Sequence, residues 1–180
     1  MEVVATALPE VLLLKPRAFG DERGWFQETY QAERYRALGI AATFVQDNLS
    51  FSRRGVLRGL HLQDPHPQGK LVYVLVGEVF DVAVDLRPHS PTFGRWVAEC
   101  LSAANRHQLW IPPGFAHGFC VLSETALFAY KCTDYYHPEA ERCLRWDDPE
   151  LAIPWPVAEP VVSAKDRAGL PLAAFRASPG

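Results

Sequence analysis

Apolar and polar positions alternate along residues 79–87. Phe80, Val82, Val84 and Leu86 fall on one face, and Asp81, Ala83 and Asp85 on the other. A period of two belongs to a strand with two unlike faces. The preceding run, 70–76, sets Lys70, Val72, Val74 and Val76 opposite Leu71, Tyr73 and Leu75, and Gly77-Glu78 joins the two as a hairpin. Further short runs of this kind occupy 2–5, 11–15, 42–50, 56–62, 96–101, 107–111, 117–121, 125–132 and 143–145. Fifteen prolines and twelve glycines punctuate the chain, and many short strands between such turns predict an all-β sandwich or barrel. Helix is expected only over 31–38, stopped at Gly39, and in a turn near 172–176. Residues 87–94 read as a loop inside a domain. Nothing in the composition divides the 180 residues, so a single domain spanning 1–180 is expected, with the end from about Leu170 loosely held.

Composition narrows the partners. The chain is 48% apolar and 22% charged with a net charge of −3, and it carries no basic stripe for a nucleic-acid backbone. An anionic ligand must then be held by a few local cations. No apolar run reaches the ~20 residues that cross a bilayer, so no membrane partner is expected. Met1-Glu2-Val3-Val4 has neither the charged start nor the apolar core of a signal peptide. Cys100, Cys120, Cys132 and Cys143 form no Cys-x-x-Cys pair; they read as scattered, reduced, mostly buried thiols of a cytoplasmic protein.

Three segments carry candidate chemistry. In Arg58-Gly59-Leu60-His61-Leu62-Gln63, alternation sets His61 and Gly59 on one face and Arg58, Leu60 and Leu62 on the other. A lone histidine in a strand is ordinarily a satisfied structural residue. A histidine in a closed pocket, however, needs a partner to set its tautomer, and Asp166, Asp81 and Asp85 all qualify. Next, Trp110-Ile111-Pro112-Pro113-Gly114-Phe115-Ala116-His117-Gly118-Phe119 contains a Pro-x-Gly-x-x-His core similar to the second short motif of cupin barrels. Where metal-binding cupins place His-x-His, this chain reads His61-Leu62-Gln63. One ligand is missing, and catalytic metal sites normally present three protein ligands, so a barrel working without metal is expected. Last, Tyr130-Lys131-Cys132-Thr133-Asp134-Tyr135-Tyr136 is an aromatic strand end that offers a phenol for proton donation and rings for stacking on a flat ligand.

Taken together and in order, these segments resemble the dTDP-4-dehydrorhamnose 3,5-epimerase family. The likeness runs from about Val3 to Asp166. It also includes Phe19-Gly20-Asp21-Glu22-Arg23-Gly24, Val45-Gln46-Asp47-Asn48, Gln68-Gly69-Lys70 and Ser90-Pro91-Thr92-Phe93-Gly94. The resemblance implies a cupin-type jelly-roll β-barrel with a few short helices. It also implies an isomerase that inverts C3 and C5 of a nucleotide-linked 4-keto-6-deoxyglucose by removing protons beside the C4 ketone. No redox cofactor is implied, in keeping with the lack of a Gly-rich dinucleotide fingerprint. By the same likeness His61 is the base, Asp166 orders its ring, Tyr130 is the donor, and Lys70 supports the enolate. Arg23 and Arg58 are expected on the phosphates. Glu28, Gln46, Asn48, His117, Glu141 and Lys165 are expected along the ligand, with Tyr136 stacking on the base and Tyr135 or Phe26 as substitutes. A homodimer is implied, in which the block around Arg23 serves the neighbouring subunit. The compact loop Asp64-Pro65-His66-Pro67 lies outside this chemistry. Rival readings are a single-centre epimerase of a related deoxysugar, a metal-dependent cupin enzyme, and a sugar-nucleotide binding module without catalysis.

Overall fold

The computed structural model describes residues 1–176. Two antiparallel sheets face each other. One has six strands in the order β1 (Glu2–Ala5), β2 (Leu12–Lys15), β10 (Gln108–Ile111), β7 (Lys70–Val76), β12 (Thr125–Cys132) and β5 (Gln46–Arg53). The other has five, in the order β13 (Glu141–Cys143), β6 (Leu57–Gln63), β11 (Phe115–Val121), β8 (Glu78–Asp85) and β9 (Trp96–Ser102). This is the expected cupin-type jelly roll. The hairpin of β3 (Ala18–Asp21) and β4 (Gly24–Gln27) stands apart, paired only with itself. Sequence alternation gave no sign of it, because Gly20, Asp21, Glu22 and Arg23 leave too few apolar positions to set a period.

Val72, Val74 and Phe128 from the first sheet meet Val79, Ala83, Phe115 and Phe119 from the second in the space between them. The face of β8 that carries Asp81 and Asp85 therefore looks inward. Its apolar face, with Val82 and Val84, packs outward beneath Leu151, Ile153, Leu172 and Phe175. The six-stranded sheet is covered in turn by α1 (Ala32–Ala37) and the following turn, where Tyr35 and Ile40 bury against Leu14, Leu71 and Trp110. Gln31 caps α1 through its side chain, and Gly39 follows the helix with φ of 95°, the left-handed stop expected there.

Three expectations are corrected. The strand placed at 42–50 runs instead over Gln46–Arg53, because Ala42 and Phe44 are spent on the cover over Trp110 rather than on a ladder. The last strand lies at Glu141–Cys143, since pairing with β6 starts at Gln63. The chain after Leu170 is not loosely held. The Leu170 N–H bonds to the Cys143 carbonyl, and Leu172 and Phe175, the latter in α3 (Ala173–Arg176), are fully buried. The part of that expectation covering 177–180 lies outside the described residues.

The inward end of β8 is anchored by charge. Asp85 accepts from the Arg87 guanidinium at 2.8–2.9 Å, from Ser90 at 2.5 Å and from Thr92 at 2.6 Å. Arg87 in turn grips Glu10 at 2.7 Å. Burial opposes ionisation of Asp85, but these donors outweigh it and hold the pKa at about 2. A carboxylate with a lowered folded pKa stabilises above its unfolded value and loses that contribution as pH falls through the folded one. Wild type is expected to lose roughly 2 kcal/mol from this group between the ordinary carboxylate range and strong acid, whereas Asp85→Asn shows no such loss. Denaturant unfolding of both proteins from pH 6 down to pH 2 measures the difference; a gap that stays constant across the window would remove Asp85 as the anchor.

Candidate active site

A cavity of about 750 Å³ opens between the sheets and is closed on one side by the returning C-terminal segment. His61 on β6 and Asp166 on α2 (Ala164–Arg167) meet there, Nε2 to Oδ1 at 2.5 Å. Asp166 also takes the Gly59 N–H at 3.3 Å, while its own N–H is held by Ser163 Oγ at 3.1 Å. Burial raises the Asp166 pKa, but the bonds and charge of His61, with the Gly59 and Ser163 donors, outweigh that and leave it lowered. An ionised carboxylate only accepts, so it fixes the proton on Nε2 and leaves Nδ1 with the free lone pair. Of the three carboxylates open as partners in the sequence, Asp81 and Asp85 are thereby excluded. Asp85 is the anchor already described, and Asp81 bonds His117 Nε2 at 2.9 Å. Burial pushes the Asp81 carboxyl up against the opposing effect of His117.

His117 and His61 face each other across the β6–β11 ladder, yet Arg58 pairs with Phe119. Three steps on β6 therefore match two on β11, a bulge that re-aims the side chains. Strict alternation put Arg58 on the face away from His61; the bulge brings both to the cavity wall. The ladder is close enough that a Cβ on Gly118 would lie 2.6 Å from the Arg58 carbonyl oxygen, and one on Gly59 2.6 Å from the Gly118 Cα.

The six-stranded sheet supplies the opposite wall. Lys70 and Tyr130 line the cavity from β7 and β12, with Gln46 and Asn48 beside them on β5. Lys70 lies on the same face as Val72 and Val74, and that face is the interior. Its Nζ approaches the His61 carbonyl at 3.4 Å, and burial holds its pKa below the ordinary lysine range. Tyr130 is half-buried, packs on Phe128, and has its phenol pKa raised chiefly by burial.

Residues 5–174 match the family described as dTDP-4-dehydrorhamnose 3,5-epimerase. The chain belongs to this epimerase family. The enzyme of that name from Pseudomonas aeruginosa is 58% identical over 171 residues, covering 94% of this chain and 94% of that protein. The one from Neisseria gonorrhoeae is 58% identical over 170 residues, 94% of this chain, and this chain spans about half (52%) of its length. The crystal structure of dTDP-6-deoxy-D-glucose-3,5-epimerase from Legionella pneumophila, in complex with dTDP-4-keto-L-rhamnose, superposes with a TM-score of 0.93. It is 55% identical, with 97% of this chain and 96% of that chain covered.

Around this cavity the remaining polar groups form one network. Lys165 Nζ bonds Glu141 Oε1 at 2.6 Å, and the Tyr136 hydroxyl donates to Glu141 Oε2 at 3.0 Å. Burial raises the Glu141 pKa, but these two donors outweigh it and keep the pKa lowered. Of the three rings expected against the base, only Tyr136 lines the cavity; Tyr135 and Phe26 are exposed elsewhere. Arg23 and Glu28 also lie outside it. Arg23 sits on the protruding hairpin with its side chain 86% exposed, paired to Asp21, and Glu28 pairs with Arg34 at 3.1 Å.

Two neighbours of His61 had no distinct signal in the sequence. Cys143 places Sγ 3.8 Å from Asp166 Oδ1, and burial pushes its thiol up to about 12. His61, Cys143 and Asp166 together present three metal-ligating atoms within 4.8 Å, but His61 Nε2 is committed to the carboxylate. Gln63, at the position of the missing cupin ligand, is turned away into loop contacts with the backbone of His66, Tyr135 and His137. Cys143 joins His61 through strand pairing, which alternation along one segment does not reveal.

Gly118→Ala is expected to push the β6 and β11 backbones apart, because the contacting atoms are main chain. Overpacking of this kind costs about 1–3 kcal/mol. A lowered Tm together with weakened turnover is the expected result; a variant with wild-type stability and activity would show that the ladder yields freely.

Proposed function

We propose that the cavity epimerises dTDP-4-keto-6-deoxy-D-glucose at C3 and C5, giving dTDP-4-keto-L-rhamnose, with His61 as base and Tyr130 as proton donor. The observation that carries this reading is the placement of the two groups. His61 stands on the five-stranded sheet, held by Asp166 of α2, and Tyr130 stands on the six-stranded one, so a sugar between them meets a base on one side and an acid on the other. His61 Nδ1 takes the proton from the carbon beside the ketone, and the C–H electron pair moves to form the enolate with its charge on the C4 oxygen. The imidazolium that forms is stabilised by Asp166. The enolate oxygen is supported by Lys70. Tyr130 then gives its phenolic proton to the opposite face of the carbon, which inverts it. Proton exchange with solvent returns His61 to its free base and Tyr130 to its phenol, and the second carbon then follows the same course, since both carbons flank one ketone.

The nucleotide end is assigned to cations in a chain of net negative charge. Arg58, held by Ser52 Oγ at 3.0 Å, offers fixed paired donors for phosphate. Lys165, Glu141, Gln46, Asn48 and His117 line the ligand, and Tyr136 stacks on the base. Arg23 and Glu28 are assigned to a second subunit's cavity in a homodimer. Support comes from the exposed aromatics Trp25 and Phe26 on the β3–β4 hairpin, and from exposed Leu49 and Phe51 on β5 at the sheet edge. Apolar patches of that kind mark association surfaces. Residues 1–180 act as one domain in this reading. A cytoplasmic location fits thiols left free, one of them exposed at Cys100; among the described residues no helix is long and apolar enough to cross a membrane.

Proton NMR in heavy water tests the chemistry. Deuterium is expected at both C3 and C5, unchanged by chelator. Entry at one carbon selects the single-centre reading, and no entry discards the epimerase assignment for this substrate. His61→Asn should cut exchange at least about 100-fold, while Tyr130→Phe should keep exchange and lose inverted product. Normal inversion in Tyr130→Phe would take the phenol out of the mechanism.

The shared site has its own test. Arg23→Ala and His61→Asn, each weakened alone, should regain activity when mixed and allowed to exchange subunits. Recovery requires one chain to lend Arg23 to the other's intact His61; no recovery in mixed dimers would place Arg23 outside the site.

A further inference from the structure

Outside the reaction cavity, two loops at its rim bring together a second set of metal-ligating side chains. His66 comes from the loop after β6, and Asp134 and His137 come from the segment after β12. Each offers one ligand atom, and the three atoms lie within 4.8 Å of one another. His66 Nδ1 is 3.8 Å from Asp134 Oδ2, and the His66 and His137 rings stack with centroids 4.2 Å apart at 18°. Glu139 adds a further carboxylate, 3.2 Å from His137 Nδ1.

The arrangement is built from beneath. Gln63, almost fully buried, donates to the His66 carbonyl at 2.8 Å and to the Tyr135 carbonyl at 3.1 Å, and accepts from the His137 N–H at 2.8 Å. Gln68 holds the Asp134 carbonyl at 2.9 Å. Two glutamines thus set the backbones of all three residues, and His66 takes a left-handed φ of 68° that turns its ring toward the other loop. A surface ion pair explains one of these contacts. It does not explain why two imidazoles and a carboxylate from separate loops converge over a shared buried clamp.

We propose that His66, Asp134 and His137 form a site for a divalent transition-metal ion of the zinc class. Imidazole nitrogens with one carboxylate suit zinc, cobalt or nickel, whereas calcium and magnesium take oxygen ligands. A zinc ion bonds each donor at about 2.0–2.2 Å, so the ligand atoms must close up and the stacked rings must tilt until each points its lone pair at the ion. His66 and Asp134 have side chains 50% and 36% exposed, which leaves them room to do so. Glu139 or water completes the four ligands. The ion ties the β6–β7 loop to the segment that carries Tyr136, and so braces the rim without entering the reaction.

The experiment uses the full chain, freed of any affinity tag and stripped with chelator, titrated with Zn²⁺ against a chromogenic chelator and with Co²⁺ by visible absorption. The variants are His66→Asn, which tolerates the left-handed backbone, His137→Ala, and the double variant His61→Asn/Cys143→Ser. One ion is expected to bind wild type and the double variant alike. Affinity should fall at least about 10-fold in each of His66→Asn and His137→Ala, the loss that removing even an outer-shell partner produces. Zn²⁺ should raise Tm in wild type, and both single variants should lose that rise. Undiminished affinity in the single variants, loss confined to the double variant, or no binding below millimolar Zn²⁺ would each overturn the proposal.

Discussion

The carboxylate of Asp166 lies 2.5 Å from His61 Nε2 and within reach of the Gly59 N–H, although more than a hundred residues separate it from both. It arrives there because the chain after β13 runs back across the five-stranded sheet. Parallel bridges at Val56–Val161 and Leu144–Leu170 hold that return, and Leu172 and Phe175 seal it against Val82, Val84 and Leu86. Hydrophobic burial of Leu172 and Phe175 thus delivers a buried anion to His61. The imidazole keeps its tautomer only while that packing holds, so the site's chemistry and the fold's stability draw on the same contacts.

Two sheets divide the work that the proposed inversion requires. His61 and Asp166 stand on one wall and Tyr130 and Lys70 on the other, with Phe119 and Phe128 stacked 4.1 Å apart between the cavity and the core. Burial raises the Tyr130 pKa and lowers that of Lys70. Both shifts come from withdrawal of water, the condition under which a hydrogen bond or a charge acts most strongly on a developing charge. The dry floor is a consequence of the barrel, since the faces that turn inward are those with Val72, Val74 and Ala83.

Much of the fold was legible in the chain. Alternation along 70–76 and 79–87 marked the central hairpin, and Gly39 marked the end of α1. The ordered motifs around His61, His117 and Tyr130 led to the family through resemblance. What escaped was whatever depends on contact between distant segments. The β3–β4 hairpin has too few apolar residues to show a period, and α2, four residues long, is created by the Ser163 cap and the burial of Asp166. The strand near Ala42 was misplaced because its apolar residues serve a cover and not a ladder. Arg58 was set on the wrong face, since a bulge is a property of two strands, and a single strand's alternation holds no record of it.

The division has a physical basis. Periodicity, turn residues and charge count are local or additive properties, so the sequence alone predicts an all-β chain with one partly polar strand face, few helices and no basic stripe. Which of three carboxylates reaches His61 is decided by register and by where the C-terminal return lies. Only the tertiary structure could choose Asp166, assign Asp81 to His117 and Asp85 to Arg87, and leave Arg23 on an exposed hairpin. Pairing partners so far apart in the chain are selected by the packed whole, because the energy that selects them comes from burial that no segment achieves alone.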